Sequence, residues 1–371
     1  VEKSMIRQVF DRARPGSINL GLGEPDLPTP DFIREAAVRV IQQEQNGYTL
    51  QAGLPSLRKL VSSSYPKLGL SADDVVITAG SQEALYLALM TLVEPGDEVL
   101  IPNPGFPAYP TITRMAGGRD VYYRLPSQSD FDLDIEDFRR AINEKTKVVI
   151  CTSPSNPTGR AFSREELRDI ARAVEESGSR AYIISDEIYR DLYYVPERPA
   201  SISDYYANTI VVSGLSKSLS MTGWRLGWIC GNKDVISSAL ILHGYVTTCA
   251  STVSQKAALT AWSSEAEAAR EGHRHIFGAR RDHLLELFRR QNLNPIAPEG
   301  AFYTMVDVRD YGSSMDVAET LLDFGVVTIP GSAFGSESEG FLRVSFCADL
   351  PVLEEGVKRI AAGLKSRRSN G

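Results

Sequence analysis

The chain has 371 residues, more than one average core holds, so two domains or one large α/β domain are expected. It is 43% hydrophobic and 23% charged, ordinary for a soluble globular enzyme, and 40 Lys and Arg against 47 Asp and Glu leave a net charge of −7, which argues against nucleic acid as a main partner. No run reaches the roughly 18 apolar residues of a membrane helix, and the opening VEKSMIRQVFDRARPGS lacks the apolar core of a signal peptide. A cytoplasmic location is expected by elimination. Cys151, Cys230, Cys249 and Cys347 show no CxxC pair and no metal-ligand spacing, which fits free thiols in a reducing compartment. His273, His275 and His283 fall in a charged helical stretch, and no metal site is expected there.

In chain order, a Gly/Pro-dense passage over 18–30 leads into a helix-like DFIREAAVRVIQQE, with Asp31 placed as its cap and Arg34 and Glu35 on its exposed side. Residues 75–78 read as a strand, 79–81 as a tight turn and 82–93 as an amphipathic helix. Such a junction offers unpaired N–H groups and a favourable dipole to an anion. Further strands read over 98–101, 120–124 and 147–152, with a helix over 134–143 and another over 164–176. This alternation points to a largely parallel sheet covered on both faces, with ligands beyond the carboxyl ends of its strands. Asn156, in SPSNPTGR, and Asp186, closing the apolar run AYIISD, fall at two of those ends. A carboxylate there needs a partner. The last eighty or so residues read as an α+β unit, with a helix near 316–324 and an alternating strand over 341–346 that contains Arg343.

Between these parts lies SGLSKSLSMTGWRLGW, residues 213–228, directly after the apolar strand 209–212. A lysine at such a place is costly unless it is paired or neutral, and a desolvated amine is the form that makes a Schiff base with a carbonyl. Eight residues after Lys217, Arg225 supplies a guanidinium suited to phosphate. Ser216, Ser218, Ser220, Thr222 and Gly223 are small groups that let a ligand approach. One amine for an aldehyde and one cation for a phosphate describe a site for pyridoxal 5′-phosphate (PLP). Gly80, Ser81 and Gln82 are assigned to the same phosphate.

The stretch Gly214-Leu215-Ser216-Lys217, followed by Arg225-Leu226-Gly227, resembles the lysine signature of class I and II aminotransferases of PLP fold type I. MTGWRLG is similar to the subgroup with many bacterial aspartate, aromatic and kynurenine aminotransferases, and the resemblance covers about 18–361. It implies an α/β fold with a large PLP-binding domain over 45–275, its mostly parallel mixed sheet flanked by helices. A smaller α+β domain would come from both chain ends, 1–44 and 276–371. It further implies that Phe106 stacks on the cofactor ring and that Asp186 pairs with the ring nitrogen. Asn156 and Tyr189 would bond the 3′ oxygen, Gly23 would lie near the substrate carboxylate, and Arg343 would hold that carboxylate with two prongs. Tyr48 would reach the cofactor phosphate of the other subunit in a homodimer. Many relatives carry a phosphate-binding serine where this chain has Gly214; either Ser213 or Ser216 is the substitute.

The implied reaction moves the amino group of an L-amino acid to a 2-oxo acid through a Lys217 Schiff base, with Lys217, Asp186 and Tyr189 as the catalytic residues. β-Elimination, cyclisation and oxidation use the same scaffold residues and remain the alternative. A PLP-sensing regulator would need a helix-turn-helix for which the N-terminal extension is too short, and no G-x-G-x-x-G succeeds a first strand as in a dehydrogenase. No cation for a second substrate carboxylate is identifiable, which tilts the reading toward a neutral or aromatic donor or broad specificity.

Overall fold

The computed structural model describes residues 5–44 and 46–369. Its centre is a seven-stranded sheet built from β2 (Val75–Thr78), β3 (Glu98–Asn103), β4 (Arg119–Arg124), β5 (Thr146–Thr152), β6 (Tyr182–Asp186), β7 (Thr209–Gly214) and β8 (Gly227–Cys230). Their order across the sheet is β2-β8-β7-β6-β5-β3-β4, and only β8 runs against the rest. The sheet is therefore mixed but mostly parallel, as expected. Alternation along the strands divides the core. Val76, Ile184, Ile210 and Val212 face one side, where they pack with Leu87, Ala88 and Leu89 of α4 (Ser81–Leu92), Ile112 of α5 (Ala108–Met115) and Ile236 of α8 (Lys233–Val246). Val149, Ile183 and Leu100 face the other, with Phe138 of α6 (Ile135–Ala141) and Leu167, Ile170 and Val174 of α7 (Arg164–Glu176). Ser163 caps α7 through a reciprocal bond with Glu166, which explains why that helix begins where its sequence says.

The chain ends meet. β1 (Ile18–Asn19) pairs in parallel with β10 (Val326–Val327), and β11 (Ile329–Pro330), β12 (Phe341–Ser345) and β9 (Tyr303–Asp307) form an antiparallel three-stranded sheet. Phe277, Leu284 and Phe288 of the long helix α10 (Ser264–Arg290) pack with Val317 and Leu321 of α11 (Ser314–Asp323) and Leu353, Val357 and Ile360 of α12 (Leu350–Ser369). At the N-terminus, α1 (Met5–Arg12) sets Val9 against Leu322 and Val327.

One expectation changes. Asp31 is the first residue of α2 (Asp31–Gln42) rather than its cap; the cap position is Pro30, which makes no side-chain bond, and the Asp31 carboxylate pairs with Arg34 instead. The expected boundary at residue 44 puts α2 with the smaller unit. Its Ile33, Ala36 and Ala37 share a core with Leu57 and Val61 of α3 (Pro55–Ser63), Ala257 of α9 (Thr252–Ala258) and Val75 and Ile77 of the large sheet.

Candidate active site

The carboxyl ends of four parallel strands converge on one cavity of about 330 Å³. β2 leads through Gly80 into α4, β5 ends at Thr152 before Asn156, β6 ends on Asp186, and β7 leads to Ser216 and Lys217. Arg343 enters from β12, so the two sheets share the site.

Lys217 follows β7 and reaches the Gly23 passage and Phe302. Its Nζ donates to the Gly23 carbonyl at 2.6 Å and sits 5.7 Å from the centre of the Phe302 ring. Burial pulls the amine down to about 8, with smaller downward pushes from the Arg343 and Arg225 guanidiniums. Asp186 moves the other way. Burial raises its carboxyl to about 6 even though the Tyr109 hydroxyl donates to Oδ2 at 2.9 Å and the Ile188 amide to Oδ1 at 3.2 Å. Neither donor carries a charge. A softened amine and a carboxylate short of a cation, in one cavity, are the arrangement that places pKa values where proton chemistry uses them.

At one end the lining is polar and cationic: Ser81, Gln82, Ser216, Thr222 and Arg225. Gly80 holds φ +87, and a Cβ there would come within 2.5 Å of Arg225 Nη2, so the guanidinium lies directly over the bare glycine at the head of α4. Arg225 itself is left-handed, at φ 50, and donates to the carbonyls of Thr222 at 2.9 Å and Ala79 at 3.3 Å. Ser213 is different. It belongs to β7, its hydroxyl donates to the Glu187 carbonyl at 3.2 Å, and it lines a separate cavity with Arg190 and Trp228. Of the two serines left open by the sequence, Ser216 faces the site and Ser213 does not.

At the other end Arg343 donates to Asn156 Oδ1 at 2.7 Å and to the Gly21 carbonyl at 2.6 Å, with its guanidinium 4.2 Å from the Tyr303 ring centre and 4.7 Å from that of Phe334. Its Nε is buried without a hydrogen-bond partner. Tyr189 and Tyr303 share a hydroxyl contact at 2.8 Å on the cavity wall. Phe106 lines the same space, edge-on to Tyr109 at 5.7 Å. Gly23 also lines it, pressed so close to the Tyr303 hydroxyl that a Cβ would collide with that oxygen. Tyr48 stands apart from the cavity: 87% of it is exposed in the single chain.

The sequence reading missed Tyr109, Tyr303, Ile6 and Phe10, all of which line the cavity. Tyr109 looks like a packing residue in a short helix, and Ile6 and Phe10 sit in an N-terminal segment with no motif. The residues present fit PLP. Backbone and hydroxyl donors with Arg225 suit its phosphate, Asp186 suits a protonated ring nitrogen, and the amine of Lys217 suits its aldehyde.

The family described as aminotransferase class I and II matches residues 15–360. The chain belongs to that family. An aspartate aminotransferase of Bacillus sp. (strain YM-2) is 36% identical, over 92% of this chain and 90% of its own. A probable aspartate/prephenate aminotransferase of Aquifex aeolicus is also 36% identical, over 94% and 91%. Among solved structures, the aspartate aminotransferase of Thermus thermophilus with maleate superposes with a TM-score of 0.91 at 32% identity, covering 98% of this chain and 97% of that one. The fold is PLP fold type I, and the protein is an aminotransferase of a PLP-dependent class.

Proposed function

We propose that this cavity binds PLP with Lys217 joined to its aldehyde, and that the protein moves an amino group between an L-amino acid and a 2-oxo acid. The observation that carries the proposal is the Lys217 amine, held 2.6 Å from the Gly23 carbonyl in the cavity that also holds Asp186, Arg225 and Arg343. When bound, PLP supplies the reactive aldehyde and an electron-withdrawing ring. Gly80, Ser81, Gln82, Ser216 and Arg225 hold its phosphate, Phe106 covers the ring, and Asn156 and Tyr189 bond the 3′ oxygen. Asp186 keeps the ring nitrogen protonated. Arg343 grips the substrate carboxylate beside Gly23, replacing the Gly21 carbonyl it now contacts. The Lys217 amine would be the group that takes and holds the proton of substrate Cα.

The assembly part of the proposal is a homodimer. Tyr48 and Leu50 are exposed beside α8, where Ile241 and Tyr245 are 65% and 90% exposed, and Gln51 ties the two segments by donating to the Leu240 carbonyl. Covering that apolar face with a second copy brings Tyr48 toward the partner's phosphate site. The four cysteines are free, which supports a reducing, cytoplasmic setting. Among the described residues no helix is long and apolar enough to cross a membrane.

A single-turnover test separates amino transfer from elimination or oxidation on the same scaffold. Without an acceptor, the wild-type protein with PLP should release one equivalent of 2-oxo acid per subunit and stop. Continued turnover under those conditions would contradict the proposal, and so would normal transfer by Lys217→Ala.

A further inference from the structure

We propose a second ligand site, for a small oxyanion, in a separate cavity of about 240 Å³ that backs onto the first. Its walls come from the segment after β6, the end of β7, Trp228 of β8 and the amino-terminal half of α10. Ile188 lines both cavities.

The lining has more donors than acceptors. Four guanidiniums, of Arg190, Arg198, Arg270 and Arg274, stand against the three carboxylates of Glu187, Asp191 and Glu267. Each carboxylate is already divided. Asp191 is shared between Arg198 at 2.6 Å and Arg270 at 3.4 Å, and Glu267 between Arg270 at 3.4 Å and Arg274 at 3.6 Å. Buried Glu187 accepts from Arg190 at 3.0 Å on one oxygen and from the hydroxyls of Ser185 and Ser201 on the other. Main-chain oxygens take two further bonds, Pro199 from Arg190 at 3.0 Å and Ala261 from Arg270 at 2.6 Å. A guanidinium carries five N–H donors, so these acceptors leave much of the cationic surface unmatched.

Two of the donors are buried and have no hydrogen-bond partner among the described residues: Trp228 Nε1 and Arg270 Nε. Their residues are 7% and 8% exposed, and Arg270 Nε comes to 3.4 Å from Asp191 Oδ2 without bonding to it. An indole N–H can only donate, and a buried donor is costly until something accepts from it. A cationic ligand would bring still more donors. An oxyanion brings several acceptors at once, and guanidiniums suit carboxylate and phosphate oxygens. Arg274 is also held in place, with its guanidinium 4.8 Å from the centre of the Tyr193 ring. The half-exposed Arg198 gives the cavity its route to solvent, while Arg190 and Arg270 are largely buried.

The position ties this site to the first. Ser213 and Gly214 on its wall lead directly to Ser216 and Lys217, and Glu187 follows Asp186 in the chain. An occupant therefore rests against the two segments that carry the amine and the carboxylate of the neighbouring cavity.

The test is calorimetric titration of the PLP-loaded protein with inorganic phosphate and, separately, with citrate. The loaded protein is used so that the Arg225 end of the first cavity is already filled. At least one of the two anions should bind, one per subunit, with a Kd of about 1 mM or below. The tighter of the two tells a phosphate site from a carboxylate site. Trp228→Phe changes no charge and removes one N–H, and Arg274→Gln removes one guanidinium; each should weaken that binding by roughly tenfold. Circular dichroism checks that each variant is folded, and either folded variant decides the matter alone. Binding of neither anion, or wild-type affinity in a folded variant, would overturn the inference.

Discussion

Replacing Asp186 with Asn should make the cofactor-free protein more stable and the enzyme worse. Asp186 is 8% exposed, and burial lifts its carboxyl from an ordinary 3.8 to about 6. A folded-state pKa above the unfolded one means that the folded protein holds the proton more tightly. The group therefore favours folding fully below about pH 4, and that advantage is lost as pH rises through 6. At about 1.4 kcal/mol per pKa unit, the ionised carboxylate lacks about 3 kcal/mol at pH 7.5 relative to its protonated form. Asn has no charge to desolvate. Its carbonyl can still accept from the Ile188 amide, and its amide can donate to the Tyr109 hydroxyl, so the loss of one geometry offsets about 1 kcal/mol of the gain. Urea unfolding of the two cofactor-free proteins should then show Asp186→Asn more stable by about 2 kcal/mol at pH 7.5, with the difference vanishing or reversing near pH 4. With PLP present the order should invert, because only the carboxylate can hold a protonated ring nitrogen. Equal stability at both pH values, or undiminished amino transfer by the variant, would refute the reasoning.

Arg343→Lys should keep a positive charge but lose the planar fork, lowering kcat/KM for the amino acid by about 100-fold (about 3 kcal/mol), with steady-state kinetics as the check. Gly80→Ala should push the Arg225 guanidinium out of place, since φ +87 and a 2.5 Å approach leave no room; PLP affinity, read by equilibrium titration, should fall by about tenfold or more. Tyr109→Phe removes the hydroxyl that supports the ionised form of Asp186, so the carboxyl should rise further and the acid limb of the kcat/KM profile should shift upward in pH.

Much of the site was legible because its chemistry sits where strands end. The runs 75–78, 147–152 and 209–212 are apolar and β-branched, and each gives way to small, polar or charged residues; the observed strands match them to within two residues at either end. Arg343 was readable only through the resemblance, since a strand arginine has no local signal of ligation. Other features had no signal to read. β1 and β10 are two residues each, too short for any period, so the joining of the chain ends depends on a pairing between positions over 300 residues apart. Whether Ser213 or Ser216 faces the ligand is a question of phase where a strand passes into a turn. Tyr109 reads as core because it is core, and its hydroxyl acquires a role only when β6 brings Asp186 within 2.9 Å.

Whether the Lys217 nitrogen itself bonds to the cofactor is tested most directly by borohydride reduction of the PLP-loaded protein, with proteolysis and mass spectrometry as the readout. The expected result is a phosphopyridoxyl adduct on Lys217, absent from Lys217→Ala, with the yield of rapid loading rising as pH passes through about 8. An adduct on another lysine in an active enzyme, or full activity with Lys217 unlabelled, would contradict it.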